Sequence, residues 1–141
     1  IVNSVAFGHP NKGFDQNNNA GGVTLLNNTG FSNGVNFGFG NALNSGERHT
    51  LRNNISLQGR SGDGVSNANA SNNTWNGISV GRGDFVNLDL SLATQRRNPD
   101  GTLPANDLFR LAPSSRLIDA GVNVGLPFRG RAPDLGAFER Q

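Results

Sequence analysis

Lys12 is the only lysine of the chain, and it stands three residues from an aspartate in Asn11-Lys12-Gly13-Phe14-Asp15. A lone lysine can meet an anionic ligand as a cation. It can also take up a proton, provided that burial or a neighbouring cation favours the neutral amine. An exposed turn lysine accounts for the same residue without any ligand. Asp15 has a similar pair of readings, as a ligand for a metal or substrate and as a turn carboxylate capping backbone N–H groups. Gln16, Asn17, Asn18 and Asn19 follow directly, and their amides can bind ligand hydroxyls or stabilise turns. Farther on, His49 lies beside Arg48 and near Arg52. That group could present cations to an acidic polymer, or form an ordinary solvated strand face.

Other chemistries are excluded. The chain has no cysteine, hence no disulfide, thiolate metal cluster or thiol nucleophile. His9 and His49 are too few and too far apart for a metal site of their own, and the first 60 residues hold only two acids, Asp15 and Glu47. No Ser-His-Asp order or phosphate-binding loop is present. Arg82-Gly83-Asp84 matches a cell-adhesion tripeptide, but Asp84 opens a strand-like segment and the match carries no weight. Of the 12 basic residues 11 are arginines, dispersed along the chain, and the net charge is only +2. A nucleic-acid surface would show a basic stripe with interleaved aromatics. No apolar run reaches the ~18 residues of a membrane span, and nothing reads as a signal peptide.

The elements that must position these residues repeat along the chain. Val2-Asn3-Ser4-Val5-Ala6-Phe7, Leu26-Asn27-Asn28-Thr29-Gly30-Phe31 and Arg52-Asn53-Asn54-Ile55-Ser56-Leu57 align at spacings of 24 and 26 residues, and Ser71-Asn72-Asn73-Thr74-Trp75 is a weaker fourth copy. Short β-branched pieces bounded by Gly and Asn (Gly22–Leu26, His49–Arg52, Gly77–Val80 and Asp84–Leu90) suit the coils of an all-β parallel β-helix; helical repeats would need a periodicity that is absent. With 22 asparagines and 20 glycines, stacked Asn side chains at one corner of successive coils are expected to satisfy each other and the turning backbone. The reading is a solenoid of about four coils over residues 1–92, with 93–141 as an irregular capping segment of the same domain. That segment holds all but one of the prolines and is expected to lie over the last coil. Ile1-Val2-Asn3 begins in mid-repeat. The first coil is therefore expected either to be completed by preceding coils or to self-associate through its open strand edges.

The stretch Asn11-Lys12-Gly13-Phe14-Asp15-Gln16-Asn17-Asn18-Asn19-Ala20-Gly21-Gly22-Val23-Thr24-Leu25 resembles the family 9 polysaccharide lyases, pectate lyases built on a right-handed parallel β-helix. The likeness continues through Asn27–Phe31, Asn33–Gly38, Arg52–Ile55, Asn73–Asn76 and Asp84–Asp89. The ending, Phe109–Leu111 and Leu117–Gly121 to Asp134–Glu139, resembles the terminus of many secreted β-helix proteins. The resemblance implies an extracellular protein that acts on polygalacturonate by calcium-assisted β-elimination. A lysine would remove the proton α to the uronate carboxylate, while Ca²⁺ on an aspartate cluster stabilises the developing charge. In this chain Lys12 is the candidate for a substitute base, with Asp15, Gln16, Asn17, Arg48 and Arg52 as candidate substrate contacts. The family's Gly-Phe-Lys-Leu-Gly-Gly stretch and its aspartate cluster have no counterpart in this chain. The metal ligands are thus unassigned. The alternative functions are a non-catalytic carbohydrate-binding β-helix and a self-stacking structural one.

Overall fold

The Asn-Asn pairs are the corners of a stack of parallel coils. The computed structural model describes residues 1–140. Nine short strands follow in order: β1 Val5–Phe7, β2 Lys12–Asp15, β3 Thr24–Leu26, β4 Thr29–Phe31, β5 Val35–Phe39, β6 His49–Arg52, β7 Ile55–Leu57, β8 Gly64–Val65 and β9 Ala68–Ser71. They form three parallel sheets, β1-β4-β7, β2-β5-β8 and β3-β6-β9, so each coil contributes one strand to each sheet. The register follows the repeat: Val5 pairs with Thr29 and Thr29 with Ile55. This is a right-handed parallel β-helix.

The first Asn of each pair makes the bend and the second ties the coils together. Asn3, Asn27, Asn53 and Asn72 all have φ between 48° and 59°, the left-handed region that Asn tolerates better than other non-glycine residues. Asn28, Asn54 and Asn73 are buried. The Oδ1 of Asn54 accepts from both the backbone N–H (2.9 Å) and the Nδ2 (3.0 Å) of Asn28, while its own Nδ2 donates to Asn73 Oδ1 (2.8 Å) and Leu25 O (3.1 Å). Asn76 Oδ1 ends the ladder by accepting from Asn73 Nδ2 at 2.8 Å. The expected Asn stack is therefore present.

Alternation along the strands sorts residues between the lumen and the outer faces. In the lumen Phe14 stacks on Phe37 with centroids 5.0 Å apart, and Phe37 meets Trp75 at 4.9 Å. Leu25, Leu51 and Ala70 form a second column. The first sheet turns small residues inward. A Cβ on Gly30 would stand 2.7 Å from Asn36 Cβ and 3.1 Å from the Phe37 ring. Its large residues face outward, where Phe31, Ile55 and Leu57 join Phe109, Leu111, Leu117 and Leu135 in a second core.

That outer core decides where the C-terminal segment lies. Rather than covering the last coil, as the sequence suggests, the segment runs along the flank of the first sheet. Phe109 reaches Phe31 and Phe7, in two different coils, at centroid distances of 5.5 and 5.6 Å. Backbone and side-chain bonds join it to the corner, with Val122 N–H donating to Asn53 Oδ1 and Asn53 Nδ2 donating to Val122 O. The last coil is closed instead by Trp75, carried on a 3-10 turn at Thr74–Asn76. Beyond it, Gly77–Val80 and Asp84–Leu90 do not form the strands expected of them. The backbone of Asp84–Asn87 bonds to residues 109–112 of the C-terminal segment rather than to a coil. Residues 77–94 give 3-10 turns at Arg82–Asp84 and Leu90–Thr94, and bridges from Phe85 to Leu111 and Asn87 to Leu108.

His49 also departs from expectation. The pleat of β6 directs it inward with Leu51, fully buried. Its Nδ1 accepts from Val23 N–H at 3.2 Å, its ring meets Phe39 edge-on at 5.4 Å, and among the described residues its Nε2 has no partner. Burial pushes its pKa down.

Candidate functional site

Three coils meet at an open cleft on the flank of the second sheet, about 770 Å³ in volume and lined by His9, Lys12, Asp15, Gly34, Arg60 and Ser61 among others. The first coil supplies Lys12 and Asp15 from the two ends of β2. Lys12 Nζ lies 2.9 Å from Asp15 Oδ1, with the side chains 41% and 33% exposed. Partial burial works to raise the Asp15 pKa, but hydrogen bonds from Lys12 and from the backbone of Asn17 and Gln16, with the lysine charge, outweigh it and leave the pKa lowered. The aliphatic stem of Lys12 lies over Gly38 of the second coil. A Cβ there would come within 2.6 Å of Lys12 Cδ.

The other wall is the turn His9–Asn11. It settles onto the second coil because Gly34 has no side chain: a Cβ would collide with the carbonyls of Pro10 and Asn11. Gly34 N–H donates to His9 O at 2.9 Å and Val35 N–H to Asn11 O at 2.7 Å. From the third coil, Arg60 Nη2 donates to Pro10 O at 2.9 Å, while its own backbone is fixed by Arg60 N–H to Asn33 O at 2.9 Å. The cleft thus sets two cations, Lys12 and Arg60, against one carboxylate. Such a surface attracts acidic ligands, and the guanidinium fork matches a carboxylate.

The other residues singled out from sequence lie in varied settings. Gln16 is buried, its Nε2 donating to Asn19 O at 2.6 Å and its Oε1 accepting from Asn41 N–H at 3.2 Å; its amide organises the turn between sheets. Asn17 is exposed on that turn with φ 49°. Arg48 is exposed just before β6. Arg52 belongs to the third sheet, where Nη2 donates to Asn69 Oδ1 at 3.0 Å and Nη1 to the Asn69 carbonyl. Neither arginine lines the cleft that holds Lys12 and Asp15.

Arg60 and His9 were missed in the sequence. The signal was available, because repeat spacings of 24 and 26 align Pro10, Gly34 and Arg60 in successive coils. As for calcium, which favours 6–8 oxygens including several carboxylates, the cleft offers only Asp15, already engaged by Lys12. Among the described residues no three His, Cys, Asp or Glu side chains are grouped to hold a metal ion. The donor set does not fit a calcium site. Nor, among the described residues, is any helix long and apolar enough to cross a membrane.

No family model matches the chain. It is 55% identical over 142 aligned positions to Pectate lyase L of Dickeya dadantii (strain 3937), covering 99% of this chain and 33% of that protein. The crystal structure of pectate lyase Pel9A superposes with a TM-score of 0.93 at 55% identity, covering 100% of this chain and 35% of that one. A rhamnogalacturonan lyase matches at a TM-score of 0.69 and 25% identity, over 80% of this chain and 30% of its own. The chain thus spans about a third of the length of these relatives. Along that whole span it is homologous to the pectate lyases of polysaccharide lyase family 9, matching a C-terminal part of them.

Proposed function

We propose that the cleft of Lys12, Asp15 and Arg60 binds an acidic plant polysaccharide, polygalacturonate, and that Lys12 is the base of a β-elimination on it. The observation carrying this reading is the placement of the only lysine, outward and half-exposed, in a cleft with a second cation. The homology to pectate lyases supports the substrate class. In the free chain Lys12 Nζ is held by Asp15 Oδ1 at 2.9 Å. A bound uronate competes for that contact and frees the amine. The amine takes the proton α to the carboxylate, the electron pair forms the C4–C5 double bond, and the C4–O bond breaks. The departing oxygen takes its proton from water. Because the donor set does not fit calcium, no step is assigned to the metal. The substrate puts the site of action outside the cell.

The test is ultraviolet absorbance of the unsaturated uronide formed from polygalacturonate, followed with calcium and with a chelator, so that a metal requirement is read apart from loss of the base. The chain is expected to raise the absorbance, and Lys12→Ala to slow it by about 10²-fold or more. An unslowed Lys12→Ala would remove the lysine from the chemistry. The poor calcium donor set favours one second reading, a groove that binds without cleaving. A flat trace from a chain that still binds oligogalacturonate would establish it.

A further inference from the structure

Arg60 is the one cation of the cleft without a counter-charge. Lys12 has Asp15 at 2.9 Å, whereas Arg60 has no carboxylate partner within salt-bridge distance among the described residues. Its Nη2 donates to Pro10 O, and more weakly to His9 O at 3.5 Å, while its Nε and Nη1 have no hydrogen-bond partner among the described residues. The guanidinium is thus anchored on one nitrogen with unused donors, and reaches across Gly34 from the third coil to the first. Anchoring matters because much of the entropy of ordering a long side chain is lost before any ligand arrives. Planar paired donors suit a carboxylate better than they suit the neutral ester of the same sugar.

We propose that Arg60 docks the uronate carboxylate and sets a preference for free over methyl-esterified uronate. The assignment rests on the reading of the cleft as a polygalacturonate site. It separates the roles of the two cations: Arg60 recognises the acid, and Lys12 moves the proton. Its bond to Pro10 makes Arg60 a positioning residue for the wall of the cleft as well. The variants must therefore keep that bond while changing the charge or the fork. Arg60→Gln keeps an N–H donor and loses the charge; Arg60→Lys keeps the charge and loses the fork.

Calorimetric titration of the chain and both variants with oligogalacturonate and with its methyl ester tests this, alongside thermal melts. The parent is expected to bind the acid about tenfold or more tighter than the ester. Arg60→Gln should abolish that preference while melting as the parent does, and Arg60→Lys should retain part of it. Lys12→Ala should keep the preference while losing product formation. An Arg60→Gln chain that folds and still prefers the acid tenfold overturns the assignment and leaves the cleft's reading intact. A parent that binds neither ligand overturns both. Should Arg60→Gln fail to fold, Arg60→Lys decides, since a preference undiminished from the parent's excludes recognition by the fork.

Discussion

A glycine determines where the only lysine of this chain points. The Lys12 stem lies on the backbone of Gly38, in the strand below, because nothing projects from that position. Alanine there would put a Cβ within 2.6 Å of Lys12 Cδ. Since the crowded atom belongs to a flexible, part-exposed side chain, the lysine would move and the strand would not. Gly38→Ala is therefore expected to melt within about 0.5 kcal/mol of the parent, while separating Lys12 from Asp15 and lowering turnover or binding on polygalacturonate several-fold. Differential scanning calorimetry and the uronide assay read the two effects separately. At this scale the sequence is informative only where contacts are local. Lys12 and Asp15, three residues apart, could be paired on sight, whereas Arg60 is 50 residues from the Pro10 carbonyl it holds. Arg52 looked equally suited to a ligand, but its guanidinium is turned to Asn69.

The Asn ladder is the element on which the rest is hung. Asn54 stands fully buried at its middle, its side chain accepting two bonds and donating two. Removing its side chain leaves buried donors and acceptors unmatched on both neighbouring coils. Asn54→Ala should cost about 3 kcal/mol or more, at ~1–3 kcal/mol per orphaned group, and a urea titration would show it as a lower midpoint. The strands β3 and β6 were legible because each leads into the same Asn corner, whereas Lys12–Asp15 read as a turn and is the strand β2. After Asn73 the corner no longer recurs. Segments such as Asp84–Leu90 keep the composition of a strand, yet pairing needs a neighbour that composition does not reveal. The flank position of the C-terminal segment was hidden for a related reason, since Phe31, Ile55 and Leu57 read equally well as lumen residues until the register places them outside.

Acid tests the lumen that all the coils share. His49 is buried in the lumen with one nitrogen accepting from the first coil, and its pKa is held below 6.5. The unfolded chain takes up that proton at a higher pH than the folded one. The stability due to neutral His49 is thus fully present above 6.5 and is lost as pH falls toward the depressed folded value. Urea midpoints measured from pH 7.5 down to 5 should fall for the parent. They should fall less steeply for His49→Gln, which keeps an acceptor but cannot charge; parallel curves would remove His49 as the cause. Coil lengths carry a different implication. The corner from the third sheet to the first is always two residues, whereas the path from second to third sheet takes eight residues at 16–23, nine at 40–48 and two at 66–67. The path from first to second sheet varies too, with four residues at 8–11, three at 32–34 and six at 58–63, so length can be traded everywhere except at the Asn corner. A foreign peptide spliced between residues 43 and 46 would sit outside the register, whereas a single residue inserted at Asn53-Asn54 would shift the third coil by one position and exchange its inner and outer faces.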